Sequence, residues 1–506
     1  MSQMSSETQL AGFKRLVRKI KHYEEAVGLI YWDMRTGAPK KGLSARSEVV
    51  GELSTEAFRM TISDDMGGYL AYLTQLEHFD ALDPTSRKMV TESKKDYDRS
   101  KKIPPDKYQA YVVLTAQSET AWEEAKNSNN YALFQPYLEK IVHTINEFIE
   151  LWGYEDNKYN TLLDMYEPGM TVAKLDQVFS ALREKVVPLL QAIQNAPNPP
   201  DCSFLNQPFA KDKQKEFNEF ILRQMHYDFE AGRLDETVHP FATGLNPGDV
   251  RITTKYQPND FTNALFGTIH EGGHALYEQN ISPDLIGTNL CSGSSMGIHE
   301  SQSRFWENMV GHSRAFWDRY YGNLQKTFAG QLDGISVDEF YRAINHIQSS
   351  LIRIEADELT YNLHIMVRYE IEKELINGKI SVADLPKVWN AKYKEYLGVT
   401  PASDSEGVLQ DVHWSDGSFG YFPSYSLGNM YAAQFAHQLK KQFPDYEAWI
   451  ASGNLLPIKE WLSEQIYQYG KLLTPTEIIV KVTGEELNPD YLVGYLEDKY
   501  KTVYGI

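Results

Sequence analysis

Two histidines one helical turn apart, with a glutamate between them, are the first residues in this sequence whose types and spacing could do chemistry. The stretch from His270 to Glu278 reads HEGGHALYE. On a helix His270 and His274 project from one face, where two imidazoles can reach one metal ion. Glu271 directly follows His270, so it shares the cleft wall without competing for a coordination position, which suits a base acting on the attacking water. About 0.02 such His-Glu-x-x-His patterns are expected by chance in a chain of this composition. The surroundings therefore have to separate a metal helix from two ordinary histidines.

A catalytic zinc takes three protein ligands and keeps one position open. Downstream, GIHESQSRFWENMVGH supplies His299 and Glu300 at the start of another apparent helix, with Glu300 26 residues after His274. A carboxylate from a second helix would complete a two-histidine, one-glutamate set. Glu300 and Arg304 are also four residues apart, the spacing of a weak surface ion pair, so spacing alone leaves both readings open.

Two further stretches hold groups that could read a substrate. In LIRIEADELTYNLH, Arg353, Asp357 and Tyr361 are spaced by four and four. On a helix that makes one polar stripe, with a guanidinium for a free carboxylate, an acid to orient it and a phenol to donate to an oxyanion. The competing reading is an exposed Arg–Asp pair beside a half-buried tyrosine. GVLQDVHWSDGSFGYFPSYSLGNMY concentrates Gln410, Asp411, His413, Trp414, Tyr421 and Tyr425 among Gly and Pro. That is the make-up of a loop lining a site or of a packed aromatic loop, and His413 reads better as a hydrogen-bonded structural histidine than as a ligand. CSGSSMG lacks the phosphate-loop spacings, which sets nucleotide binding aside.

The elements that must position these groups are mostly helical. Phe261, Leu265, Ile269 and Leu276 fall near multiples of a helical turn, with Asn259 or Asp260 as N-cap of the helix carrying HEGGH. Gly272 and Gly273 in mid-helix cost up to ~1 kcal/mol each relative to Ala, so close approach of another segment or of substrate is expected there. Ser336 with Glu339 has capping-box spacing; Thr474 with Glu477, Pro475 at the first helical position and Gly484 past the end, marks another helix. HPFATGLNPGDVRITTKYQPND breaks the pattern: Asn246, Pro247 and Gly248 form a turn before the β-favouring DVRITTKY. That predicts a short strand or hairpin, which could pair with an extended peptide or be purely structural. The Pro-rich segment from Asn195 to Phe209 is the best boundary between a helical region, residues 1–195, forming one wall or lid of a groove, and residues 196–506, which hold the motifs. One continuous domain with a long surface loop is the alternative. The basic run SKKDYDRSKKIPPDKY interleaves acids with lysines and reads as a solvated helix face.

Bulk properties narrow the partners. Of 506 residues, 50 are Lys or Arg and 69 Asp or Glu, a formal net charge of −19 that repels polyphosphate and argues against nucleic acid as the main partner. No run of eighteen apolar residues spans a membrane, and the N-terminus lacks the continuous apolar region of an export signal. Only Cys202 and Cys291 are present, which excludes a disulfide framework or a cysteine-type zinc site. Together these features point to the cytoplasm.

Six motifs in order carry a resemblance over essentially the whole chain: HPF at His239 to Phe241, DVRIT at Asp249 to Thr253, HEGGH at His270 to His274, HESQSR from His299, IRIEADELTY at Ile352 to Tyr361, and GVLQDVHW at Gly407 to Trp414. The sequence resembles the carboxypeptidase Taq family of zinc or cobalt metallocarboxypeptidases. The resemblance implies that His270, His274 and Glu300 are the metal ligands, that Glu271 is the general base, and that Arg353 reads the substrate's C-terminal carboxylate. His239, Arg251 and Tyr421 carry over with substrate or transition-state roles. It also implies a mainly α-helical, zincin-like body with a deep groove and a small β-sheet near the metal, similar to neurolysin-like and angiotensin-converting-type peptidases, and a cytosolic homodimer.

The expected activity is therefore removal of single C-terminal amino acids from peptides with a free C-terminus. It would use one divalent metal ion per chain, zinc with cobalt as the other choice. A neurolysin-like oligoendopeptidase or dipeptidyl carboxypeptidase is the alternative. A silent scaffold with a structural zinc fits less well, because a site closed by four protein ligands has no use for Glu271.

Overall fold

Helix prevails because its start and stop signals recur and are used. The computed structural model describes residues 6–506. Asp260 caps the helix Phe261–Gln279, its carboxylate accepting from the N–H groups of Thr262 and Asn263. The capping boxes form as expected at Ser336 and Glu339, ahead of Val337–Ile344, and at Thr474 and Glu477, ahead of Pro475–Thr483. The second helix stops at Gly484, whose φ of 84° is the left-handed conformation that favours glycine. A hydrophobic core runs from Phe13 on the first described helix, Ser6–Thr36, to Tyr504 on the last, Asp490–Tyr504. No helix among the described residues is long and apolar enough to cross a membrane.

The basic run spans the end of the helix Pro84–Lys101, a break at residues 102–104 and the start of the helix Pro105–Asn127; the first helix turns Met89, Val90, Ser86 and Ser93 inward and pairs Lys95 and Arg99 with Asp164 at 2.7 and 3.4 Å. The Pro-rich segment is a loop with a single 3-10 turn, Ser203–Leu205. Phe209 at its end is buried between the rings of Phe261 and Phe328.

The non-helical stretch forms a three-stranded sheet of β1 (Leu234–Glu236), β2 (Ala242–Asn246) and β3 (Asp249–Thr254), in the order β1-β3-β2. β2 and β3 form the expected hairpin about Pro247 and Gly248, antiparallel with Thr243 opposite Arg251, and β1 pairs with β3 in parallel. Within the expected hairpin β3 is the central strand, hydrogen-bonded on both sides, so edge pairing with an extended peptide is closed to DVRIT and open only to the outer strands β1 and β2. Val250 and Ile252 on β3 are fully buried, and its end is tied to the HEGGH helix by a hydrogen bond from Thr268 Oγ1 to Thr254 Oγ1 at 3.0 Å. The sheet thus serves as a support under the helix that carries the two histidines.

Close approach explains the paired glycines. A Cβ at residue 273 would stand 2.6 Å from the Gln302 carbonyl oxygen and 2.7 Å from Ser303 Cα, so the HEGGH helix and the Glu300 helix, Met296–Arg304, meet backbone to backbone. At residue 272 a Cβ would meet the Leu222 side chain at 2.8 Å. Helix propensity alone would make Gly273→Ala stabilising by about 1 kcal/mol. Overpacking against a backbone should instead destabilise by about 1–3 kcal/mol. A thermal melt decides the sign, and a raised melting temperature would mean that the interhelical contact yields easily.

Candidate active site

His270, His274 and Glu300 converge. Each offers a ligand atom within 4.8 Å of the others, and they form the one such group of three or more among the described residues. His270 Nε2 and His274 Nε2 lie 3.6 and 3.4 Å from the same oxygen, Glu300 Oε2. Ligand atoms about 2.0–2.1 Å from a tetrahedral ion stand about 3.3–3.4 Å from one another. Two imidazoles and a carboxylate at these separations fit a divalent ion with little rearrangement.

The opposite edge of each imidazole is also engaged. His270 Nδ1 is 2.8 Å from Glu307 Oε2, and His274 Nδ1 is 2.6 Å from His299 Nδ1, whose Nε2 is 2.8 Å from Glu278 Oε1. With Nδ1–H donating in both histidines, each Nε2 keeps its lone pair toward the shared point, the tautomer a metal requires. Arg304 donates to Glu300 Oε1 at 2.7 Å and to Glu307 Oε2 at 3.0 Å. The surface ion pair that spacing allowed for Glu300 and Arg304 is thus corrected to a buried one, with side-chain exposures of 8% and 14%. Burial opposes the charge of Glu300, but Arg304 and the two imidazoles outweigh it and hold the carboxyl far below its ordinary range. Glu271 is buried beside them and makes no hydrogen bond to another side chain; burial pushes its carboxyl up to about 7.

A chain of contacts leads from here to Arg353. The Arg304 guanidinium lies over the Tyr361 ring, 4.6 Å from its centre, and the Tyr361 hydroxyl accepts from Arg353 Nη1 at 2.9 Å. Arg353 does not share a helix with Asp357 and Tyr361, so the expected stripe is corrected. Arg353 stands on a single 3-10 turn, Arg353–Glu355, and the next helix begins only at Thr360. Asp357 spends its oxygens on the N–H groups of Leu359, Thr360 and Gln348. The acid that orients Arg353 is Asp411, 58 residues on, which accepts from its Nε and Nη2 at 3.0 and 2.8 Å and also from Arg368 Nε at 2.6 Å. Arg353 itself is 6% exposed. Burial works against its charge, and Asp411 with the neighbouring phenols keeps it firmly protonated.

Residues 12–500 match the model of the carboxypeptidase Taq (M32) metallopeptidase family. Carboxypeptidase 1 of Bacillus subtilis (strain 168) is 51% identical over 99% of this chain and all of its own length. Thermostable carboxypeptidase 1 of Thermus thermophilus is 38% identical over 99% of this chain and 100% of its own. The crystal structure of the M32 carboxypeptidase from Deinococcus radiodurans R1 superposes with a TM-score of 0.95 at 37% identity, covering 99% of this chain and 100% of that one. The chain belongs to the M32 family of metallocarboxypeptidases. That membership brings a divalent metal ion and a peptide substrate with it, and it does not favour the neurolysin-like alternative.

Within this M32 fold the remaining expected residues are distributed unevenly. Tyr421 is near the centre: its ring packs edge-on against Tyr166 and Tyr425 at 5.1 and 5.2 Å. Burial, and then the nearby Glu300 charge, push its phenol up to about 12. Arg251 is bound bidentately by Asp249 at 2.7 Å and faces the ring of Trp32, in a cleft between the sheet and the first helix. His239 sits on the exposed connection between β1 and β2. Neither Arg251 nor His239 makes a hydrogen bond or ion pair with the His270, His274 and Glu300 group. His413 joins Tyr425 through Nε2 at 3.3 Å. Gly293 to Gly297 has the spacing of a serine-hydrolase elbow, yet no strand leads into it and Ser295 Oγ is engaged as the N-cap of the Glu300 helix.

Sequence reasoning missed two supporting acids, Glu278 and Glu307, and the pairing of a third, Asp411, with Arg353. Glu278 follows His274 by four residues, so the helical face was available as a signal. Glu307 is reached through the π-helical segment Phe305–Gly311, and Asp411 through a loop contact, and neither leaves a local signature. Loss of a carboxylate behind a metal-binding imidazole typically costs 10–100-fold in metal affinity. Glu307→Ala should therefore weaken zinc binding by about that factor in chelator competition; unchanged binding would show that the Glu307 contact does not support the site.

Proposed function

We propose that this M32 chain removes single residues from the C-terminus of peptides at a metal site made by His270, His274 and Glu300, with zinc as the ion and cobalt able to replace it. The observation that carries this reading is the convergence of those three ligand atoms beside the buried, unpaired Glu271. When bound, the ion supplies a Lewis acid that polarises the scissile carbonyl and makes the attacking water more acidic. Glu271 takes the proton of that water and returns it to the departing amine. Its position one residue after His270 keeps it within reach of both. Tyr421 and Tyr361, phenols that burial keeps protonated, are the donors for charge developing on the carbonyl oxygen.

Arg353 binds the terminal carboxylate. Asp411 holds two of its nitrogens and Tyr361 a third, so the guanidinium is fixed before substrate arrives and little freedom is lost on binding. Arg251 and His239, on and beside the sheet, act on the peptide further from the cut. Residues 1–195 form the facing wall of the groove. The enzyme works as a cytoplasmic homodimer, a reading supported by the family resemblance.

An N-acetylated peptide with a free C-terminus, compared with its C-amidated twin by mass spectrometry, tests the reaction. The free acid alone should give a ladder losing one residue at a time, abolished by a chelator; internal cuts in both twins would refute the carboxypeptidase reading. Arg353→Ala should lose about 2–5 kcal/mol of transition-state binding on the free acid and close the gap between the twins. Equal activity of the parent on both would remove the role given to Arg353. Glu271→Gln should keep its zinc and lose about 10²–10⁴ in turnover. Zinc content falling in step with activity would make Glu271 a ligand-shell residue instead of the base.

A further inference from the structure

The helix that brings Glu300 to the histidines is nine residues long, Met296–Arg304, and its first turn is held from two sides. Its own cap, Ser295 Oγ, accepts from the Ile298 N–H at 3.0 Å. The Gly297 N–H donates instead to Glu167 Oε2, also at 3.0 Å, a carboxylate 130 residues earlier in the chain. Glu167 directly follows the helix Lys158–Tyr166 and is 1% exposed. Its other oxygen accepts from the Tyr431 hydroxyl at 2.8 Å. Tyr431 lies on the helix Pro423–Gln442, whose Gly428 abuts Glu300 so closely that a Cβ there would stand 2.5 Å from Glu300 Cγ.

We propose that Glu167 is a positioning residue of the metal centre: reaching from the N-terminal region, it caps the Glu300 helix and ties it to the helix against which Glu300 rests, thereby fixing the distance from Glu300 to the two histidines. The proposal rests on the reading of Glu300 as a metal ligand. Three features go beyond ordinary packing. The carboxylate is buried with no cation paired to it among the described residues, a costly group to spend on one N–H of a helix start that Ser295 already caps. Its three donors, Ser295, Tyr431 and the Gly297 N–H, come from the two helices that meet at Glu300. Glycine at residue 297 also makes room for it, since a Cβ there would lie 2.6 Å from Glu167 Oε2. Negative charge at that helix end is favourable, while burial pushes the carboxyl up to about 7.

The test is zinc affinity of the metal-free enzyme, measured by competition with a chromogenic chelator and set beside kcat, KM and the melting temperature. Glu167→Ala should weaken zinc binding about 10-fold or more, with kcat falling and KM nearly unchanged. Glu167→Gln, which keeps the shape and an acceptor oxygen, should restore most of the affinity. Ser336→Ala, which removes a cap on the remote helix Val337–Ile344, should lower the melting temperature and leave zinc affinity alone. A Glu167→Ala protein that behaves like Ser336→Ala, less stable but binding zinc as the parent does, overturns the proposal. Should Glu167→Ala fail to fold, Tyr431→Phe removes one donor and should weaken zinc binding in the same direction; no change would again overturn it. Glu300→Ala separates the two ideas. Zinc affinity intact in that variant defeats the ligand reading itself, whereas zinc lost there but retained in Glu167→Ala defeats only the role of Glu167.

Discussion

A carboxylate taken out of water costs several kcal/mol unless charges and donors surround it, and Glu300 is only 6% exposed. Much of the site follows from meeting that requirement. Arg304 approaches from the next turn and the two imidazoles from the crossing helix, and each carries its own partner. Arg304 needs Glu307, His270 needs Glu307, and His274 needs His299 and Glu278. The result is a shell of acids and bases that pre-forms a binding point from side chains alone. Close helix crossing at Gly273 and Gly428 is what lets the shell be so small, because any side chain there would drive the Glu300 helix away from its neighbours.

The parts of this arrangement that were legible in the sequence are those set by spacing within one helix. His270 and His274 share a face, Asp260, Ser336 and Thr474 cap as their positions suggest, and the paired glycines signal a close crossing. Spacing misled where the chain left the helix. Arg353, Asp357 and Tyr361 are four apart, but Asp357 lies three residues before the helix start and captures its first N–H groups. An acid there favours ending the preceding turn over continuing it, which is the general competition between side-chain and backbone hydrogen bonding. The pairing of Arg353 with Asp411 spans 58 residues, and nothing local announces it.

Motif resemblance and geometry carried different shares of the reading. The ordered motifs identified the family and with it the fold, while the structure supplied the reason several of them hold together. In GVLQDVHW, Gln410 receives the Arg353 N–H and an Arg368 nitrogen, Asp411 binds both guanidinium groups, and Trp414 donates to the buried Glu372 at 2.7 Å. In DVRIT, alternate residues serve different surfaces, Val250 and Ile252 toward the HEGGH helix and Arg251 toward Asp249 and Trp32. That alternation explains why one short motif can contribute to support and to a cleft at once.

The buried cluster of Arg353, Asp411 and Arg368 holds two guanidinium charges against one carboxylate, a local excess of one positive charge inside a protein whose formal net charge is −19. The two fields act over different ranges. Dissolved ions screen the outer field within about 8–10 Å at ordinary salt, but scarcely reach a pair as buried as this one. If Arg353 holds the terminal carboxylate as proposed, raising ionic strength eases the approach of acidic peptides and leaves the grip on a carboxylate already inside nearly untouched. On that reading salt governs which peptides arrive more than how firmly their ends are held.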